Sequence, residues 1–134
     1  MSTDTATQAA PATGLRLKDR VAVITGSAQG IGYAIAEVFA AEGAKVVVVD
    51  VNAELSAKSA AAIAAGKDTA IGFACDVAKY DQVEAVVKAV VEKWGKIDIL
   101  VNNAGITRDN LMMRMSEADW DLVLNVNLKG AFNF

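Results

Sequence analysis

From Leu15 onward, short runs of apolar, mostly β-branched residues alternate with stretches in which apolar residues recur every three or four positions. The runs at Val21–Thr25, Lys45–Asp50, Ala70–Cys75 and Ile97–Asn102 predict four strands. They are apolar at successive positions rather than alternate ones, which suits a parallel sheet covered on both faces. Helical patterns fall between them at about Ile31–Glu42, Ala53–Ala65 and Asp81–Trp94, with Gly43, Gly66 and Gly95 placed to stop each one. In the third, Val83, Val86, Val87, Val90, Val91 and Trp94 form one stripe toward the sheet, while Glu84 and Lys88 lie on the solvated side. Right-handed crossovers then require a doubly wound α/β layout with strand order 3-2-1-4, helices on both faces, and a crevice at the carboxyl ends of strands one and four.

Ser116 caps a fourth helix, with Asp119 three residues on to complete a capping box, and this helix is expected to run to Phe134. Its stripe is Trp120, Val123, Leu124, Asn127, Leu128 and Ala131, and Leu122, Val126 and Phe132 make the other side apolar too. A helix apolar on both sides is normally buried on both, so Asn127 is expected to be a buried amide that needs a partner. Met1–Gly14 has no helical or strand period and holds the single proline, Pro11. It reads as a disordered tail before one unit over residues 15–134.

The first strand runs into Thr25-Gly26-Ser27-Ala28-Gln29-Gly30-Ile31-Gly32, just where a helix begins. A turn tight enough to aim backbone N–H groups at a pyrophosphate, ending on the positive end of a helix, needs glycine at such positions. Gly26 permits the turn, Gly30 permits close backbone approach, and Gly32 lets the helix pack on the strand. The spacing is G-x-x-x-G-x-G, so the match is to the physical requirement and not to the G-x-G-x-x-G pattern. Asp50 closes the second strand eighteen residues after Gly32, where a carboxylate accepts from the 2′- and 3′-hydroxyls of an adenosine ribose and repels a 2′-phosphate. No Arg or Lys stands beside it and Gln29 is uncharged, which favours NAD(H) over NADP(H). The plainer alternative is that Asp50 caps the next helix.

A content of 54% hydrophobic and 22% charged residues belongs to the soluble globular class. The net charge of −3, without histidine and with scattered bases, excludes an extended nucleic-acid surface. Cys75 is alone, which rules out an internal disulfide and suits a reducing compartment. No apolar stretch approaches the ~20 residues a bilayer requires, and no export pattern opens the chain. The expected location is the cytoplasm, with neither membrane nor metal as a partner.

Thr25-Gly26-x-x-x-Gly30-x-Gly32, Asp76, Asn102-Asn103-Ala104-Gly105 and the stretch from Trp120 to Asn127, in this order, resemble the short-chain dehydrogenase/reductase family from Leu15 to Phe134. Within it, Gly105-Ile106-Thr107-Arg108-Asp109-Asn110-Leu111-Met112-Met113-Arg114-Met115 is most similar to bacterial 3-oxoacyl-acyl carrier protein reductases. The resemblance implies a Rossmann-type sheet, here incomplete, and a dinucleotide held by Gly26, Ser27, Gln29, Gly30, Ile31, Gly32, Asp50, Asp76, Val77, Asn103, Ala104 and Gly105. Asp76 would accept from the adenine amino group and Val77 would offer a backbone contact, although Asp76 could equally be an N-cap. Asn103 either lies under the cofactor or is purely structural. Asn127 matches the catalytic asparagine whose backbone carbonyl holds a relay water, or else it only stabilises its helix. Met112, Met113 and Met115 suggest either an adaptable acyl-binding surface or core packing, and packing is the commoner role.

The family's chemistry needs a Tyr, a Lys four residues later and a Ser. Here Tyr33 and Tyr80 are followed four residues on by Glu37 and Glu84. The polypeptide is therefore expected to end before the active site is built, and to be inactive alone. Strand four would then have an open edge, and the outer face of the last helix, which pairs subunits in the family, would be sticky. Two readings follow. The first is the amino-terminal half of an NAD(H)-dependent oxidoreductase, a homo-oligomer when complete, acting on a small-molecule or acyl-carrier-bound carbonyl such as a 3-oxoacyl thioester. The second is a non-catalytic dinucleotide-binding or subunit-association module. Another doubly wound enzyme, such as a methyltransferase, is disfavoured by the Asn102–Gly105 segment.

Overall fold

The computed structural model describes residues 15–106, 108 and 110–134, so the tail expected over Met1–Gly14 lies outside the described residues. The elements are β1 (Val21–Thr25), α1 (Gly30–Ala41), β2 (Lys45–Asp50), α2 (Ala53–Ala64), β3 (Ala70–Ala74), α3 (Tyr80–Trp94) and β4 (Ile99–Val101). A 3-10 turn (Met112–Arg114), α4 (Glu117–Leu124), a π-helical turn (Asn125–Lys129) and α5 (Gly130–Asn133) follow. The sheet is parallel with order β3-β2-β1-β4, and Val23 sits opposite Val47 on one side and Leu100 on the other. This is the doubly wound arrangement, with β1 in its middle.

Strand pleating divides the apolar runs between two layers. Val21, Val23, Val47 and Val49 pack with Val83, Val86 and Val90 of α3. Ile24, Val46 and Val48 pack on the opposite face with Ala36 of α1 and Ala60 of α2. Each fully buried valine contributes about 1.5–3 kcal/mol relative to exposure, and both central strands are buried on both faces, so the sheet is held from two sides. In α3 the buried stripe is narrower than the sequence pattern, since Val91 remains 42% exposed.

Helix ends follow local chemistry. Gly95 adopts φ +80° as the stop of α3, while α2 ends at Ala64, two residues before its glycine, with Ala65 itself left-handed at φ +50°. Asn52 caps α2 by accepting from the Leu55 amide, and Ser116 caps α4 by accepting from the Asp119 amide at 3.1 Å. The Asp119 carboxylate meets Arg108 Nε at 3.9 Å.

Three expectations are corrected. Strand four spans Ile99–Val101 rather than Ile97–Asn102 because side chains take over the neighbouring backbone donors. Asp98 Oδ2 accepts from the Val21 amide before the strand, and Thr25 Oγ1 accepts from the Asn103 and Ala104 amides after it. The last helix is interrupted by the π turn, and its packed face carries Val123, Val126, Gly130 and Asn133. Trp120, Leu124, Leu128 and Phe132 face outward at 50%, 40%, 67% and 82% exposure. Apolarity misled because the tightest contact, on Val77, requires a glycine, and the Val77 carbonyl requires a donor. Met112 and Met113 are exposed rather than core, because their 3-10 turn lies outside the sheet–helix layers.

Asp98 ties β1 to the start of β4. The Val21 amide first, then Lys96 and Arg20, hold its carboxyl below the ordinary value of 3.8. Folding therefore favours the ionised form, and this contribution is fully present above pH 3.8 and is lost as pH falls through the lower folded value. Asp98→Asn is expected to lower the chemical-unfolding midpoint at neutral pH, and the gap to the wild type should close in acid. A gap that persists below the folded value would assign the stabilisation to something other than this charge.

Candidate functional site

All four strands deliver their carboxyl ends to one cleft of roughly 370 Å³. Gly26 and Gln29 line it after β1, Asp50 and Val51 after β2, Cys75, Asp76 and Val77 after β3, and Asn103–Ile106 after β4, with Val126 reaching in from the π turn. This is the switch point of a doubly wound sheet, where the loops diverge and leave room for a ligand.

The first turn has the geometry of an anion cradle. Gly26 has φ +64°, and an added Cβ there would lie 2.9 Å from Ala104 Cα. Gly32 is tighter still, since a Cβ would lie 2.5 Å from the Gly26 carbonyl and 2.6 Å from Asn103 Nδ2. Gly30 also has φ +64°, and beyond it the space is open. The helix that follows has no side-chain cap from Gln29 and no acidic residue in its first turn. Its first amides and positive end are therefore not neutralised locally, which is the condition for binding phosphate. The residues present fit a dinucleotide, for the uncapped start of α1 could hold a diphosphate and carboxylates stand at two further points of the cleft.

Thr25 holds this turn against the loop after β4. Its hydroxyl accepts from Asn103 N at 3.0 Å and Ala104 N at 2.9 Å, and donates to the Val101 carbonyl at 3.4 Å. Asn103 returns the link by donating from Nδ2 to the Gly26 carbonyl at 3.1 Å. From α2, Ser59 donates to the Ala28 carbonyl at 2.6 Å. Sequence reasoning missed Thr25 and Ser59 as supports, because nothing in a lone hydroxyl at a strand end or on a helix says which loop it will reach.

Ser27, expected at the cofactor, is fully buried, its hydroxyl donating to the Ile24 carbonyl at 2.6 Å and accepting from the Val49 amide at 3.3 Å. Its hydroxyl joins β1 to β2, because an amide orphaned where the strands part needs an acceptor. Ile31 is 76% exposed on the first turn of α1, and Gly32 is buried beneath it.

Asp50 does not cap α2, a task that Asn52 performs. Its carboxylate accepts from Ala28 N and Asn52 N, both at 3.3 Å, which leaves most of its about four lone-pair positions for a ligand. Asp76 accepts from Ala78 N at 3.0 Å in a local turn, whereas the residue preceding α3 is Lys79, which makes no side-chain cap. Gln82 Oε1 accepts from the Asp76 amide at 2.8 Å. Between them, burial and then the charges of Asp76 and Asp81 push the Cys75 thiol up to about 11. Among the described residues no group of His, Cys, Asp or Glu could hold a metal ion, and no helix is long and apolar enough to cross a membrane.

Asn127 does not line the cleft itself but reaches Ile106, which does, and it is exposed rather than the buried amide expected. It lies in the π turn, and its side chain clamps one peptide group pair: Oδ1 accepts from Ile106 N at 2.8 Å, and Nδ2 donates to Ile106 O at 2.9 Å. The amide is satisfied by a loop backbone, a partner that apolar patterning along a helix does not reveal. Gly105 packs closely beside this clamp, since an added Cβ there would lie 3.2 Å from Asn127 Oδ1. Gly130 and Asn133, not anticipated, pack the following turn on Val77.

A family described as short chain dehydrogenase matches residues 20–134. Over 122 residues the chain is 48% identical to a 3-oxoacyl-[acyl-carrier-protein] reductase of Thermotoga maritima, covering 89% of this chain and 48% of that protein. It is 49% identical over 117 residues to an uncharacterized oxidoreductase of Mycobacterium bovis, covering 87% and 47%. It is 45% identical over 117 residues to a D-threitol dehydrogenase of Mycolicibacterium smegmatis, covering 87% and 45%. The chain spans about half the length of the curated relatives it matches.

Thr25→Val keeps the shape and removes the acceptor of two loop amides. It is expected to cost about 1–3 kcal/mol in denaturant unfolding, while Thr25→Ser should restore most of the loss. Equal behaviour of the two variants would show that the hydroxyl is not the joint. Cys75, held protonated at neutral pH, is expected to react far more slowly with iodoacetamide in the folded protein than in denaturant. Comparable rates in both states would contradict its burial.

Proposed function

The chain belongs to the short chain dehydrogenase family, and on that premise we propose that residues 15–134 form the dinucleotide-binding half of an NAD(H)-dependent oxidoreductase interconverting a ketone and a secondary alcohol. The observation that carries this reading is the uncapped start of α1, whose preceding residue Gln29 lines a cleft that also receives Asp50 and Asp76. Bound NAD(H) supplies or accepts the hydride. The chain's own residues bind and orient it: α1 faces the diphosphate, Asp50 accepts from the ribose hydroxyls, and Asp76 with Val77 meets the adenine. Asn103, Ala104 and Gly105 lie under the remainder, and Asn127, through its hold on Ile106, sets the wall on that side.

The choice of NAD(H) follows from charge. Among the described residues lining the cleft there are two aspartates and no Lys or Arg, so a 2′-phosphate at Asp50 would meet repulsion with nothing to neutralise it.

The proton donor implied by the family resemblance is a Tyr with a Lys four residues later, supported by a Ser. Tyr33 and Tyr80 have Glu37 and Glu84 in the lysine position, and neither tyrosine lines the cleft. We therefore assign binding and orientation to these residues, and proton transfer to residues beyond the 134. The proposed substrate is a 3-oxoacyl thioester, supported by the Gly105–Met115 segment and the Thermotoga maritima relative. Leu111, Met112 and Met113, all exposed, offer an adaptable apolar surface for an acyl chain. The outward row of Trp120, Leu124, Leu128 and Phe132 would pair with a second copy in the complete protein.

NADH is expected to bind at least about tenfold more tightly than NADPH, and Asp50→Ala should narrow that gap, read by fluorescence titration. Equal binding of both by the unaltered protein would remove the basis for the cofactor choice. Reduction of a 3-oxoacyl thioester is expected only from a polypeptide that also carries Ser and Tyr-x-x-x-Lys. Turnover by residues 1–134 alone, free of host reductases, would sink the assignment of the proton donor.

A further inference from the structure

Resting on the dinucleotide reading above, we propose that Asn133 is a positioning residue for the adenine end of the cleft, acting through the Val77–Ala78 peptide on the Asp76 carboxylate. Asn133 lies on the last turn of the chain's final helix, 9% exposed, and sequence patterning gives it no role. Its Nδ2 donates to the Val77 carbonyl at 2.8 Å, a buried bond across 56 residues of sequence. On the other side of that same peptide group, the Ala78 N–H donates to Asp76 Oδ1 at 3.0 Å. A peptide is planar, so fixing its carbonyl fixes the direction of its N–H. The chain of bonds therefore runs from Asn133 through one rigid plane to the carboxylate, each member polarising the next.

A second contact holds the same plane sideways. Gly130, one turn before Asn133, is buried against Val77 so closely that an added Cβ would lie 2.5 Å from Val77 Cγ2. The Asp76 amide is meanwhile pinned by Gln82. Asp76 is thus aimed from two helices at once, α3 through Gln82 and the final helix through Asn133 and Gly130, and the final helix acts at the longer range. Loss of Asn133 leaves the Val77 carbonyl buried without its donor, which Val77, itself 6% exposed, can relieve only by rotating the peptide and with it the Asp76 carboxylate.

The test is calorimetric titration of the full chain with AMP, with reduced nicotinamide mononucleotide and with NADH, alongside the unfolding midpoint. Asn133→Ala is expected to weaken AMP and NADH by about three- to tenfold and to leave the mononucleotide unchanged. Gly130→Ala, which pushes on Val77 without removing the hydrogen bond, should show the same adenine-selective loss, and adding Val77→Ala should recover part of it by vacating the space. A merely structural role would lower the unfolding midpoint and weaken all three ligands alike, and that outcome, or unchanged AMP binding in both variants, overturns the proposal. Should the unaltered protein bind neither AMP nor NADH, the dinucleotide reading itself fails. Normal NADH binding with unaffected variants fails only the role of Asn133.

Discussion

The cleft depends on a single hydroxyl. Where β1 and β4 part, each leaves backbone amides without a ladder partner, and Thr25 Oγ1 takes up two of them, from Asn103 and Ala104. That junction brings the glycine turn and the loop after β4 close enough for Asn103 to reach the Gly26 carbonyl, and close enough that no side chain could be accommodated at Gly26 or Gly32. The glycines are thus a consequence of how near two loops must lie. The cradle at α1 exists because that proximity is enforced from below, by a strand end buried on all sides.

A helix braces the walls of the same cleft. Asn127 clamps the backbone of Ile106 and Asn133 holds the carbonyl of Val77, so two asparagines on one helical run fasten the loops after β4 and β3. The first of them sits within the π turn and the second on the helical turn that follows it. A π turn inserts a residue into the helical repeat and changes which positions share a face, and such turns concentrate where function needs a side chain aimed off the regular lattice. Here both amides meet backbone and Gly130 meets the Val77 side chain, while the larger apolar residues of the helix turn outward. The same cleft is lined by Gln29 at the start of α1 and by the carboxylates of Asp50 and Asp76.

Much of the fold was legible from periodicity. Runs such as Val46–Val49 are apolar at every position because both faces are covered, and α3 shows its stripe plainly because its other side is charged. The glycine turn was legible as backbone sterics, since Gly26 and Gly30 take positive φ and Gly32 has no room for a side chain. Patterning failed at the last helix. Its packed face is marked by Gly130 and Asn133, a residue with no side chain and one with a polar side chain, and a hydrophobicity reading passes over both. It also does not show that the Ser27 hydroxyl takes up the Val49 amide, a pairing that only the folded strands bring about.

What the sequence determined by itself is whatever is local or periodic: the strands, the helices, their order in the sheet and the place where glycine is compulsory. These follow from burial and backbone sterics, which act on neighbours in the chain. The tertiary structure alone decided the pairings across long stretches of sequence, Thr25 with Ala104, Ser59 with Ala28, Asn127 with Ile106 and Asn133 with Val77. A hydroxyl or an amide can satisfy almost any backbone group, and only the folded arrangement of the sheet and its crossovers determines which unpaired carbonyl or N–H comes within reach.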